Sequence, residues 1–214
     1  MLLEVYVSED EVISMQELCI ENEVSETEIL EKYMDITEVN NDVYGYMYLP
    51  NGLEYPIMFT PYDQNKYINL DINQVEVQEG TPFLNRLSVL GEPGISLIYG
   101  HNMKNGKAFS CLRNYYENAN YFSEYNLMQI NTIWEEATYE IVAVALTSLY
   151  EDFNYYEYVG NITKGEFESW KTGFEPYVVV GSLSDLEYKD TIVELSTCYY
   201  HKEDGRLIII LRKV

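Results

Sequence analysis

From Ile192 to Val214 the chain reads IVELSTCYYHKEDGRLIIILRKV, two apolar and largely β-branched runs joined by a short polar segment. Runs of this kind, bounded by the turn chemistry of Glu203-Asp204-Gly205, predict two neighbouring strands. The pairing constrains everything else, because it sets a thiol and a guanidinium face to face across one sheet edge. Cys198 ends the first strand and Arg206 opens the second. A nearby positive charge favours a thiolate, and the same guanidinium can donate to an oxyanion on an attacked carbonyl. A proton donor for the leaving group must come from elsewhere, and the sequence has two histidines. His101 follows Ile95-Ser96-Leu97-Ile98-Tyr99-Gly100, a buried-strand pattern that presents it at the rim of a sheet, whereas His201 lies in the turn after Cys198.

In type, order and spacing, Tyr99-Gly100-His101-Asn102-Met103, then Leu195-Ser196-Thr197-Cys198, then Arg206 resemble the motifs of the sortase family. The YGHNM form, two N-terminal helices and a long insert before the cysteine strand are similar to class B. The resemblance implies a mostly β fold: a sortase-like closed β-barrel of about eight strands, with two N-terminal helices and a helix-bearing insert. Residues 1–40 would be a helical segment packed on the barrel, and residues 41–214 the catalytic domain. It also implies a cysteine transpeptidase with His101, Cys198 and Arg206 as the catalytic trio, and Ser196, Thr197, Tyr199 and Asn102 as substrate contacts. Two positions depart from the family pattern: Glu194 stands where Thr is usual, and Tyr199 where class B enzymes often carry an acid.

In family terms the donor is the sorting-signal peptide of a secreted surface protein. The acceptor is an amine of a cell-wall precursor or, in pilin-building members, a lysine. Neither cofactor nor metal is expected, and the protein is read as a monomer. Three other readings fit the same residues: a pilin-polymerising class B enzyme, a plain cysteine peptidase, and a surface-binding domain without catalysis.

Charge narrows the partners. With 36 acidic against 13 basic residues, the formal net charge of −23 argues against binding a phosphate backbone, which requires Lys and Arg to neutralise it. An anionic membrane face would repel the chain for the same reason. The three cysteines, Cys19, Cys111 and Cys198, are odd in number and lack CxxC spacing, so they define neither a disulfide framework nor a zinc site. Cys19 and Cys111 fall in helical patterns as small apolar residues. Cys198 and His201 together supply too few ligands for a metal. No apolar run approaches the roughly 18 residues that span a bilayer. The resemblance nevertheless implies a location at the extracellular face of the cell membrane, with an N-terminal anchor absent from this sequence.

Along the chain, Ser8-Glu9-Asp10-Glu11 and Ser25-Glu26-Thr27-Glu28 read as capping boxes opening two short helices. Val43–Leu49 and Leu53–Thr60 read as a hairpin about Asn51-Gly52, with Pro56 marking an edge or a bulge. Gly80–Asn85 returns to the sheet, and residues 91–94 form a turn into the strand that ends at His101. Ala108–Tyr116 reads as a short helix with Phe109 and Leu112 inward, and Leu127–Thr132 and Ala137–Leu149 as strands. Between Tyr150 and Asp190 a tyrosine-rich loop leads to an amphipathic helix at Lys164–Thr172, with Phe167 and Trp170 on one face. A connection of this length is usually functional, and the resemblance makes it a wall of the substrate groove. The 22 tyrosines are read mainly as strand and interface packing.

Overall fold

The computed structural model describes residues 28–151 and 153–214. The helix expected after Ser8, and Cys19 within it, lie outside the described residues, as do Ser25 to Thr27 of the second capping box.

One N-terminal helix is described, α1 (Glu31–Val39). It begins later than the Ser25 box predicts: Ile29 and Leu30 precede it, and Leu30 takes the N-cap position without a side-chain cap. Tertiary packing sets this start, because Tyr33 is buried in a cluster with Val43, Met58, Tyr67, Phe83 and Ile133. That cluster fastens α1 to the sheet.

Nine strands follow: β1 (Val43–Tyr48), β2 (Glu54–Met58), β3 (Phe83–Leu84), β4 (Gly94–Tyr99), β5 (Leu127–Thr132), β6 (Thr138–Ser148), β7 (Val178–Gly181), β8 (Thr191–Cys198) and β9 (Gly205–Lys213). Their order is β5-β1-β2-β3-β4-β8-β9-β6-β7, and β5 also pairs with β6. That last pairing closes eight strands into a barrel and leaves β7 as an addition on β6. The expected hairpin is β1–β2. Pro56 lies opposite Tyr46 of β1, while β2 meets β3 only at Met58, so Pro56 occupies an edge position as its missing N–H requires.

Residues 109–117 form a 3-10 turn running into the short helix α2 (Asn114–Glu117), and a second short helix, α3, spans Tyr121–Glu124. Phe109, Leu112 and Tyr115 enter the barrel interior among Val193, Leu195 and Leu207. Cys111 is buried there too, and burial pushes its thiol up to about 11. The insert helix α4 runs from Lys164 to Phe174 behind a full capping box between Thr163 and Glu166. Its Phe167, Trp170 and Phe174 pack with Tyr155 on the outer face of β4, β8, β9 and β6. Strands β8 and β9 are therefore covered on both faces, which is why they read as continuous rather than alternating apolar runs. The expected loose connection also hides β7, which pairs with Ala143 to Ala145 of β6.

Candidate active site

Three adjacent strands set the site. β8 pairs antiparallel with β9 so that Cys198 is the register partner of Arg206, and β4 pairs parallel with β8 up to Tyr99 opposite Ser196. Just beyond that ladder, Thr197 Oγ1 bonds the Gly100 carbonyl and Asn102 Nδ2 bonds the Cys198 carbonyl, which sets His101 beside Cys198. The structure thus gathers His101, Cys198 and Arg206 at one rim of the β4-β8-β9 strip. All three are half-buried. Arg212, a rival candidate by charge alone, lies opposite Ile192 at the far end and bonds Asp185 and Glu140.

Glycines permit the close approach. At Gly100 a Cβ would lie 2.6 Å from the ring of Phe109, and at Gly205 it would lie 2.2 Å from the carbonyl oxygen of Tyr199. The first lets the barrel plug pack beneath the histidine. The second closes the turn between cysteine and arginine.

His101 is oriented from below. Its Nε2 lies 2.9 Å from the carbonyl oxygen of Ile68, an acceptor only, so Nε2 carries the hydrogen and Nδ1 is the basic nitrogen of the neutral ring. Ile68 ends the 3-10 turn Lys66–Ile68, which is itself anchored. Lys66 Nζ and the Tyr67 hydroxyl each donate to Asp42 Oδ2 at 2.7 Å, and Asn40 Nδ2 donates to the Tyr67 oxygen at 2.7 Å. Partial burial pushes the Asp42 carboxyl up, but the bonds from Lys66 and Tyr67 outweigh it and hold the group below the usual carboxylate range. This shelf beneath the histidine was not legible in the sequence, because residues 40–42 and 66–68 announce no motif.

On β9, Arg206 Nη1 donates to the carbonyls of Asp204 at 3.1 Å and Gly205 at 3.0 Å. A guanidinium has five N–H donors, and among the described residues only those of Nη1 are engaged.

The four residues expected to touch substrate are placed differently from one another. Ser196 and Thr197 are only 3% and 2% exposed. The Ser196 hydroxyl shares a 2.9 Å hydrogen bond with the Tyr155 hydroxyl, and Thr197 Oγ1 donates to the Gly100 carbonyl at 2.7 Å. β8 is covered on both faces up to Thr197, and both hydroxyls are engaged within the fold. Asn102 Nδ2 donates to the Cys198 carbonyl at 2.8 Å, and Tyr199 donates through its hydroxyl to Glu117 Oε1 at 2.9 Å. Both border a cavity of about 320 Å³ whose other walls include Lys104, Arg113, Glu117 and His201.

Behind the cysteine, on the same strand, Glu194 is fully buried. Trp170 Nε1 donates to its Oε1 at 2.7 Å, and Oε2 has no partner among the described residues. Burial pushes this carboxyl up to about 8, only partly offset by the indole bond. Tyr99, half-buried nearby, is likewise pushed up to about 12 by desolvation.

No family model matches the chain. A curated protein of Listeria monocytogenes, Sortase B, is 27% identical over 190 residues, which cover 85% of this chain and 74% of that protein. Among solved structures, a Bacillus anthracis protein described as similar to sortase B superposes with a TM-score of 0.76 at 18% identity, covering 98% of this chain and 99% of that one. A Staphylococcus aureus sortase B–substrate complex gives 0.75 at 17% identity, covering 95% and 94%. Clostridium perfringens sortase B gives 0.73 at 19%, covering 84% and 98%. The structural likeness establishes the fold, and the sequence relative points to the same family and class.

Proposed function

This chain is of the sortase family, most like class B, and a sortase-like cysteine transpeptidase; from that premise we propose that His101, Cys198 and Arg206 carry the reaction on a sorting-signal peptide. The observation that supports the proposal most is the convergence of these three side chains at one rim, each delivered by a different strand or strand end.

The Cys198 sulfur attacks a backbone carbonyl of the peptide, forming an S–C bond and a tetrahedral oxyanion beside the free donors of Arg206. Imidazolium at His101 gives its Nδ1 proton to the departing amine as the C–N bond breaks, leaving a thioester on Cys198. An incoming amine attacks the thioester, His101 takes up its proton, and the sulfur leaves with an amide as product. The proposed acceptor is an amine of a cell-wall precursor, and the proposed workplace is the extracellular face of the membrane.

The test is to offer the protein a library of candidate sorting peptides, identify by mass spectrometry the acyl group captured on Cys198, and repeat with and without an added amine. A captured fragment that passes to the amine supports the proposal. Release to water at a rate indifferent to the amine makes the chain a peptidase, and transfer only to a lysine-bearing protein acceptor makes it a pilin polymerase.

A further inference from the structure

The regular β4–β8 ladder stops at Tyr99 opposite Ser196, just before the residues proposed to react. One more backbone bond follows, from Gly100 N to the Ser196 carbonyl at 3.2 Å. Beyond it the β4 chain turns toward the barrel plug: the His101 carbonyl accepts from Phe109 N at 2.8 Å, and Asn102 bridges to Ala108. His101 and Cys198 therefore sit where the strands have ceased to hold each other through backbone bonds. Something else must keep them in register.

Two side chains do so reciprocally. Thr197, the neighbour of Cys198, donates to the carbonyl of Gly100, the neighbour of His101, at 2.7 Å. Asn102, the other neighbour of His101, donates to the carbonyl of Cys198 itself at 2.8 Å. Each flanking residue grips the backbone of the opposite segment, and the two bonds bracket the reacting pair. We infer that Asn102 and Thr197 are positioning residues that replace the missing ladder and hold His101 and Cys198 in register. The inference rests on the reading of these two as the reacting pair. It differs from the peptide-contact role that the sequence implied, because both donors are already directed at backbone carbonyls and Thr197 is 2% exposed.

Misplacing reacting groups by about 1 Å costs on the order of 10²-fold in rate, and a carbonyl that loses its buried donor has reason to move. The informative variants are Thr197→Val, which keeps the shape and removes the hydroxyl, Thr197→Ser, which keeps the hydroxyl, and Asn102→Ala. The first readout needs no substrate: the rate at which iodoacetamide alkylates Cys198 between pH 5 and 9, with His101→Ala as reference. The second is kcat and KM with the donor peptide that the library selects.

The expected result is that T197V and N102A move the alkylation profile toward that of H101A. They should lower kcat by about 10- to 100-fold while KM shifts about twofold or less, and T197S should recover most of the loss. A raised KM with an unchanged alkylation profile would restore the peptide-contact role and overturn the inference. So would a wild-type profile that coincides with H101A, since no coupled pair would then need holding. If T197V does not fold, T197S and N102A carry the same comparison. If the wild type captures no peptide at all, the proposed function fails while the alkylation profile still decides this inference.

Discussion

Two carboxyls, Asp42 half-buried and Glu194 fully buried, behave in opposite ways. Asp42, in the shelf beneath His101, accepts from Lys66 and Tyr67 and is held below the usual carboxylate range. Glu194, in the wall between β8 and the insert, accepts from Trp170 alone and is pushed up to about 8 by burial. A carboxyl with two donors steadies the turn that carries the Ile68 carbonyl to the imidazole. One with a single donor is a liability to the fold at neutral pH. The shelf steadies the turn beneath His101, and the wall attaches the insert to β8.

The largest expected effect tests whether both regions exist to present one sulfur. Cys198→Ala should abolish acyl capture, because alanine offers no sulfur to form a thioester, with no loss of thermal stability, as measured by intact-mass spectrometry and melting. Unaltered acyl capture in that variant would end the comparison at once. Next in size, Arg206→Ala should lower the acylation rate by about 10²- to 10³-fold. Arg206→Lys should restore little, because an ammonium lacks the forked donors of the guanidinium. Single-turnover acylation measures both.

Glu194→Gln sharpens the contrast through stability. The folded-state value is raised from the ordinary 4.5 to about 8, so the folded protein binds more protons than the unfolded chain between those limits, and wild-type stability falls as pH rises across that window. Glutamine keeps the acceptor for Trp170 and does not ionise. It should therefore gain on wild type by about 3 kcal/mol at pH 7 and by little near pH 5, with acylation unchanged. Denaturant unfolding at the two pH values reads the difference, and a parallel pH dependence in both proteins would remove the wall's assigned liability.

The smallest effect belongs to the shelf. Asp42→Asn should cost about 1 to 2 kcal/mol at pH 7, because two donors lose a charged acceptor in a partly solvated ion pair. The sign is opposite to that of Glu194. A lowered folded value contributes stability that is present above the ordinary carboxylate range and is lost as pH falls through the lowered value. The wild-type advantage over D42N should fade in acid, and kcat should drop several-fold as the Ile68 turn loosens. A variant that lost stability with no change in kcat would detach the shelf from the reaction.

What the sequence made legible was the chemistry concentrated in short segments. Residues 99–103 and 195–198, with Arg206, name their strands and their rim, because strand period and turn chemistry are local properties. Strand β7 was missed because four residues of alternating, half-exposed valine ending at Gly181 carry little periodic signal. The start of α1 was misplaced because packing of Tyr33, rather than a serine cap, decides it. Glu194 and Trp170, and equally Ile68 and His101, meet only through the closed barrel. No spacing rule could have paired them. The motif places Thr197 and Ser196 beside Cys198, where sequence alone makes them candidates for peptide contact. Only the second layer over β8 shows that their hydroxyls are enclosed.

The account is tested most directly by following the decay of a thioester formed on Cys198, with and without an added amine. It predicts that the amine hastens decay and appears in an amide product in the wild type, and that His101→Ala slows this transfer. Decay to the free acid at the same rate in both conditions, or no loss on removing the imidazole, would contradict it.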